Sequence, residues 1–453
     1  MTEWKTRSFW LDSEDEQPGA ALAGNATADV LIVGGGYTGL WTALLLKEAD
    51  PAIDIAVIEA NTIGHGASGR NGGFAMTMVA RGIADLVSKV GARPARAVYD
   101  AMVEVIGDIE RFAGAESIAD VWRSGNLTVS VRPEHDARIR ADVRAAEALG
   151  LDDFALLDGR QVRDRVRHAE ARMGHFEPHC LIIDPAKLVR GMHRAAAAAG
   201  VRIYERTPVT ELEVARGRVR ALTPFGEVGA ERALLATNAY AQSIPALRRL
   251  IFTIYSYATV TEPLTDEHWA RIGWSDRCGL EDKHTFLHYA RPTADGRILW
   301  GGRNAPFSAA PPDDQPRPDP HILERLDDSF HRAFPQLRDV RIDQAWRGPV
   351  CGKIDCLASV RWLKGEKILY ALGYSGHGVA ATRLSAKIAR DRLLGRDTAL
   401  TALPLATRRP TPIPAGPLRA PLLRQLNHAL LAADDRPASL AGLIGRVSLA
   451  IAR

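Results

Sequence analysis

Apolar residues recur in distinct patterns along this chain, and each pattern predicts a different element. Residues 29–33 (DVLIV) form a short β-branched and aliphatic run suited to a buried parallel strand. The run stops at Gly34-Gly35-Gly36-Tyr37-Thr38-Gly39, and an apolar helix, LWTALLLKEA, follows. Residues 55–58 (IAVI) predict a second strand that ends in Glu59. Residues 252–262 (FTIYSYATVTE) and the stretch FLHYARPTADGRILWGG are rich in β-branched and aromatic side chains, and Ala294-Asp295-Gly296 makes a hairpin-like turn within the latter. Residues 91–118 and 134–148 read as helices on either side of a strand, SGNLTVSV. After residue 401 a proline-rich extended stretch becomes an amphipathic helix, with Leu418, Leu422, Leu426 and Leu430 at a spacing of four. That stripe predicts packing on its own subunit or on a partner's. Membrane attachment through Arg419, Arg424 and the later GLIGRVSLAIAR is the alternative.

The junction of the first strand and helix carries chemistry. Gly34, Gly36 and Gly39 stand at the three glycine positions of a dinucleotide fingerprint: tight turn, backbone approach to a pyrophosphate, and close helix packing. The helix N-terminus offers free N–H groups to phosphates. Glu59, 20 residues beyond Gly39, is placed to accept hydrogen bonds from ribose hydroxyls and disfavours a 2′-phosphate. These residues leave NAD and FAD both open. The following loop, NTIGHGASGRNGGF (61–74), is far richer in glycine than a strand-to-helix connection requires. Glycine suits backbone lying against a flat ring and a diphosphate, and Ser68, Arg70 and Asn71 add side-chain hydrogen bonds at the ring's edge.

Composition narrows the class without naming it. A chain of 453 residues, 46% hydrophobic and 25% charged, can bury a large core and divide into two or three units. The net charge of +4 comes from dispersed arginines with no dense basic block, which argues against nucleic acid as a partner. Four cysteines are too few for a disulfide framework, and Cys351 and Cys356 lack zinc-site spacing, so no metal and a reducing cytoplasm are expected. An acidic N-terminal segment and the lack of any run of about 18 apolar residues predict neither signal peptide nor membrane span.

The segments GGGYTG, IEA (58–60, thus Glu59 and Ala60) and GASGRNGG (66–73) together resemble the FAD-binding segments of the D-amino-acid oxidase family, nearest its gamma-glutamylputrescine oxidase-like branch. Further segments resemble that family in the same order up to about residue 400. IIDPAKLVR leads into a helix and to Val209, which the resemblance places near adenine. ATNAYA implicates Ala236, Thr237 and Asn238 at the adenosine half. ILYALGYSGHGVAATRLSAKIARDRLL resembles the C-terminal flavin motif, with Gly373, Ser375, Gly376, His377, Gly378 and Val379 in the turn before a helix. A glycine-flanked helix N-terminus aimed at the pyrimidine end of a flavin would also stabilise the negative charge of the reduced ring.

The resemblance implies an α/β protein: a Rossmann-like FAD-binding domain (28–90, 165–240 and 345–400), a discontinuous α+β substrate domain with a large, mostly antiparallel sheet (91–164 and 241–344), and a C-terminal extension (401–453). Within the flavin loop it implicates Gly66, Ala67, Ser68, Arg70, Asn71, Gly72 and Gly73, and in the first turn Gly34, Gly36, Tyr37, Thr38 and Gly39. The implied activity is oxidation of the C–N bond of a small amine by hydride transfer to the flavin. The resulting imine would hydrolyse to an aldehyde or keto acid, with oxygen as acceptor. Two alternatives are a dehydrogenase passing electrons to a quinone or carrier, and a flavin-binding sensor without turnover. His377 leads the catalytic candidates, as a residue able to influence amine or flavin. Tyr255, Tyr257, His288, Tyr289 and Arg291 come from strands expected above the ring, where aromatic walls and one cation suit an amine with an anionic end. His65, Arg70 and Cys351 lie at or near positions where relatives attach the flavin covalently. Val379-Ala380-Ala381 replaces a lysine that binds substrate carboxylate in the sarcosine oxidase branch, which weakens the case for an α-amino acid. Trp300 is expected over the flavin, where that branch carries an oxygen-activating lysine. A monomer or homodimer is expected.

Overall fold

Strand Ala26–Val33 sits at the centre of the first sheet because its VLIV half is apolar at every position and can be covered on both faces. It pairs in parallel with Ile55–Ile58 on one side and Gly226–Leu235 on the other, with Ile32 opposite both Val57 and Leu234. Arg202–Tyr204 extends the parallel set beyond Ile55–Ile58, and Ile368–Leu372 joins it beside the end of Gly226–Leu235. Antiparallel strands Glu211–Ala215, Arg218–Thr223 and Ser359–Lys364 complete eight strands. The parallel strands all end at one edge, so Gly34, Glu59, Ala236 and Gly373 emerge together there, where open α/β sheets bind ligands. The computed structural model describes residues 5–12, 18–79, 82–303, 305–313, 317–435, 439 and 441–445. Residues 446–453 of the GLIGRVSLAIAR segment lie outside the described residues.

Helices Tyr37–Ala49, Ala92–Ala115, Pro185–Ala198 and Gly378–Leu393 bury apolar side chains against one face of this sheet in a single core that includes Leu40, Met102, Leu188 and Leu384. Each fully buried aliphatic side chain there contributes about 1.5–3 kcal/mol of transfer free energy.

The second sheet has nine strands, antiparallel in every pairing except that of Asn126–Ser130 with Gly279–Asp282. The expected hairpin is present as His288–Pro292 and Ile298–Gly302, and Phe252–Thr261 pairs beyond it. Met173–Glu177 and Ile342–Gly352 also pair into this sheet, although the first strand and residues 345–352 of the second fall within the segments expected of the FAD-binding domain. Helix Pro320–Ala333 covers its outer face, burying Leu326 and Phe330 in one core with Trp300 of the sheet. The α/β architecture with a large, mostly antiparallel second sheet is borne out. No helix among the described residues is long and apolar enough to cross a membrane. Helix Arg419–Asp435 instead lies on the second sheet beside Phe307–Ser308.

Candidate functional site

A cavity of about 1120 Å³ runs along the edge where the parallel strands end. It is lined by Gly34, Gly36, Tyr37, Thr38, Glu59, Ala60, His65, Gly66, Ala67, Ser68, Asn71, Val209, Ala236, Thr237, Asn238, Gly376, Gly378 and Val379, drawn from segments far apart in the chain. Gly34 adopts φ 114°, and a Cβ there would lie 2.7 Å from the Ala236 carbonyl, so the first turn and the ATN turn touch through backbone alone. Gly39 does not reach the cavity. A Cβ on it would meet the Gly34 carbonyl at 2.0 Å, which makes it the packing glycine of the fingerprint.

Glu59 accepts hydrogen bonds from Gly35 N–H (2.7 Å) and Asn61 N–H (2.9 Å), and burial raises its carboxyl above the ordinary range despite them. It therefore braces the glycine turn as well as facing the cavity. Helix Tyr37–Ala49 begins at Gly36 without a side-chain cap of its own, and Ser68 Oγ, from the flavin loop, accepts from Tyr37 N–H at 3.0 Å. Asn71 holds the loop from within: its amide donates to the carbonyls of Ala67 and Ser68 (3.1 and 3.0 Å) and accepts from Gly73 N–H at 2.8 Å. Trp10 and Trp346 add indole hydrogen bonds to the carbonyls of Asn71 and Arg70, both 2.9 Å.

Several loop glycines have another purpose than contact with a ring. A Cβ on Gly73 would lie 2.3 Å from the Ile183 carbonyl, and one on Gly72 would lie 2.7 Å from the Tyr289 ring. Gly373 likewise packs on the Lys353 stem and lines neither cavity.

A second cavity, of about 470 Å³, shares Ala67, Asn71, Val350, Gly376 and Val379 with the first and opens toward the second sheet. Arg70, Gly72, Ser375 and His377 line it. His377 precedes helix Gly378–Leu393, its Nδ1 is buried without a hydrogen-bond partner, and burial, with a contribution from Lys283, lowers its pKa to about 4. It is a neutral imidazole near pH 7.

Strand alternation decides which of the other catalytic candidates reach this chamber. Phe252, Ile254, Ser256 and Ala258 face it; Tyr255 and Tyr257 point to the other side of the sheet. Tyr255 Oη accepts from Asp313 N–H at 3.1 Å, and Tyr257 is a core residue. On the neighbouring strand Tyr289 lines the chamber, whereas His288 turns away, bonded to Asp282 at 2.7 Å and stacked on Trp300 with 5.0 Å between ring centroids. Trp300 is thus not over the chamber; its indole donates to Ser329 Oγ at 3.0 Å behind the sheet. Arg291 shares the Tyr289 face but lies behind the flavin loop, 4.6 Å over the Trp10 ring, and lines neither cavity. Burial lowers its pKa to about 10, with Asp184 and Asp120 opposing that shift. Cys351 is buried in the first sheet's core with its thiol pushed up to about 12 by burial, and it lines neither cavity. Tyr255, Tyr257 and His288 qualify by residue type alone, and the period-two alternation of their strands turns all three away from the chamber.

Two chamber residues escaped that reading. Glu281, opposite Tyr289 in the sheet register, is buried, and burial pushes its carboxyl up to about 7. Thr128 Oγ1 donates to its Oε1 at 3.0 Å. Lys353 donates to the Leu357 carbonyl and Ser359 Oγ, both 2.6 Å, and lies 3.2 Å from Asp355. The two adjacent acids of GLED, and the charged pair in GKID, are the signals the sequence offers.

The first cavity fits a dinucleotide on its own features. Thr237 Oγ1 and Asn238 Oδ1 are buried on its wall without hydrogen-bond partners, and the two helices that begin there, at Tyr37 and Gly378, have no capping side chain of their own.

Residues 29–392 match the family model described as FAD dependent oxidoreductase, DAO. The chain is 32% identical over 411 residues to gamma-glutamylputrescine oxidoreductase of Escherichia coli (strain K12), covering 87% of this chain and 90% of that one. It is 28% identical over 402 residues to probable oxidoreductase OrdL of Haemophilus influenzae (strain ATCC 51907 / DSM 11121 / KW20 / Rd), again covering 87% and 90%. Among solved structures, glycine oxidase from Geobacillus kaustophilus superposes with a TM-score of 0.69 at 18% identity, covering 85% of this chain and 99% of that one. The chain belongs to the DAO family of FAD-dependent oxidoreductases.

Proposed function

We propose that this protein oxidises the C–N bond of a small amine within the smaller chamber and passes the electrons to oxygen. The observation that carries the reading is the meeting of the two cavities at Ala67, Asn71, Gly376 and Val379, with Glu281 and Tyr289 also lining the smaller one. Similarity to a gamma-glutamylputrescine oxidoreductase supports an amine as substrate.

FAD, when bound, supplies the acceptor for the hydride that leaves the carbon beside the amine nitrogen. Gly34, Gly36 and the N-terminus of helix Tyr37–Ala49 are the candidates for holding its pyrophosphate, Glu59 for a ribose, and Val209, Thr237 and Asn238 for the adenosine half. The chain's own part in the chemistry is proton control. An amine arrives mostly as ammonium and must be neutral to give up a hydride. The Glu281 carboxylate, with Oε1 held by Thr128, is the group that would take that proton. Neutral His377 adds no positive charge to oppose an amine, and Tyr289 gives the same chamber an aromatic wall. The imine product then hydrolyses to an aldehyde and ammonia or a smaller amine.

The test is an anaerobic screen of amines and amino acids on the purified holoprotein, read as loss of flavin absorbance, followed by peroxide yield in air. Bleaching by an amine with one peroxide per turnover is expected. A flavin that no amine bleaches would refute the substrate class, and turnover with dye but no peroxide would reassign the acceptor to a quinone or carrier.

A further inference from the structure

The family match ends at residue 392, yet helix Arg419–Asp435 supplies part of the chamber wall. Leu422, Leu426 and Leu430 line it at the spacing that puts them on one helix face, opposite Phe252, Ile254 and Phe307 of the second sheet. The helix is fastened at both ends. At its start, Arg419 donates to the Ile251 carbonyl at 2.7 Å. At its end, the buried Asp434 carboxylate accepts from Thr285 N–H and Oγ1 (2.5 and 3.1 Å), and Asp435 pairs with Arg303. Between them Asn427 donates to the Ala305 carbonyl at 2.9 Å. Thr285, Arg303 and Ala305 line the chamber themselves, so the helix fixes the wall it completes.

The charges on that wall are already committed. Arg303 is paired with Asp435 through Nη2, its Nη1 lies 3.8 Å from Asp434 without a hydrogen bond, and Lys353 is held by Asp355 and two oxygen acceptors. Arg70 turns Nη2 toward His65, 3.4 Å away, which lines the other cavity. The surface that Leu422, Leu426 and Leu430 share with Phe252, Ile254, Phe286 and Phe307 is apolar, and the cations that line the chamber, Arg70, Arg303 and Lys353, each already have a polar partner.

We infer that the C-terminal helix is a specificity element of the active site, and that the substrate is an amine whose amino-bearing carbon continues into an alkyl chain or aryl ring. This rests on the amine-oxidation reading and narrows it. A flexible substrate with a carboxylate at its far end would have to displace an internal ion pair, whereas each methylene laid against Leu426 and Phe252 gains affinity.

The experiment compares n-alkylamines from propyl to octyl, 2-phenylethylamine, 1,4-diaminobutane and 4-aminobutyrate on the holoprotein, with kcat/KM measured against a dye acceptor. Expected is a rise of about three- to fourfold per methylene until the chamber is filled, with the diamine and the amino acid poorest. Leu426→Trp should impose a loss that grows with chain length, and Arg424→Gln, exposed on the same helix and outside the chamber lining, should keep the parent profile. A merely structural role would lower all amines equally and show as reduced flavin content. Preference for 1,4-diaminobutane or 4-aminobutyrate, or a length-independent loss in Leu426→Trp, would overturn the inference. Unreactive n-alkanamides, titrated by their perturbation of the flavin spectrum, separate it from the reading beneath it. Binding that tightens with chain length supports an apolar chamber even if no amine is oxidised, and flat binding refutes it even if one is.

Discussion

The hydroxyls of Thr38 and Tyr374 lie 2.8 Å apart in the buried space between two strand-to-helix turns that are 336 positions apart in sequence. Thr38 is in the first turn of helix Tyr37–Ala49, and Tyr374 stands in the turn before helix Gly378–Leu393. One hydrogen bond thus ties together the two turns from which the cofactor cavity is built. Tyr374→Phe removes it while keeping the ring's packing, and leaves the Thr38 hydroxyl without that partner. We expect a stability loss of about 1 kcal/mol and weaker FAD retention, read as a lower melting temperature and faster flavin release on dilution. A double-mutant cycle with Thr38→Val should show coupling, because each single change removes the same bond. Additive effects would mean that the turns are held together by other contacts.

Glu281 gives the reaction a predicted pH dependence. Burial raises its carboxyl to about 7, so the proton-accepting carboxylate becomes the major form only above that pH. If it deprotonates the substrate ammonium, kcat/KM should climb with pH through about 7 before levelling. Glu281→Gln should lose that limb and fall by about 100-fold, the ordinary scale for a positioned acid or base. A mutant that keeps the limb assigns the titration to another group.

Much of this fold was legible because its signals are local. DVLIV before a glycine turn, IAVI before Glu59 and the hairpin around Asp295 all report burial or turn chemistry within a few residues, and each forms as expected. Strand Ile342–Gly352 was not legible as part of the second sheet: its pairing with Phe252–Thr261 is set by partners about 90 residues away, and its own sequence, IDQAWRGPVCG, is broken by glycine and proline. The residues that line the larger cavity were recoverable because turns constrain residue type. The chamber side was not, because a strand rich in Tyr, His and Arg on both faces does not say which face is inward, and one step of register exchanges Tyr289 for His288. Arg291 shows the converse failure. It shares the inward face and still misses the chamber, because Gly73 and the loop that carries it lie across its guanidinium.

Asp434 should be worth more than its distance from the chemistry suggests. Its buried carboxylate is bonded by Thr285 and approached by Arg138 at 3.4 Å and Arg303 at 3.8 Å. Asp434→Ala leaves the buried Arg303 with less compensation and frees the end of the helix, a change of about 3 kcal/mol or more. The expected outcome is a clear drop in melting temperature, with limited proteolysis now cutting between the helix and the rest of the chain. An unchanged melting temperature would mean that the helix is held by its leucines alone.

The buried imidazoles predict how stability varies with pH. Burial is the main cause lowering the pKa of His135 to about 3 and of His168, His175 and His377 to about 4. The unfolded chain binds protons at these sites near pH 6.5, the folded chain does not, and so unfolding takes up protons as pH falls from about 6.5 toward 4. Their contribution to stability falls over that window. Glu177 and Glu281 act oppositely: with carboxyls raised to about 7, the folded form holds protons that the unfolded form has released, and their contribution is lost as pH rises from about 4.5 to 7. The four histidines contribute a positive slope between pH 4.5 and 6.5, the raised carboxyls, which include Glu59, Asp184 and Asp327 as well, contribute a negative one, and the net slope is the balance of the two. Urea unfolding of the holoprotein at half-unit steps measures it. His175→Phe, at a site buried beside Phe154 and away from both large cavities, should make that slope less positive by removing one of these proton uptakes. A slope that the substitution leaves unchanged would show that His175 is not among the groups that charge on unfolding.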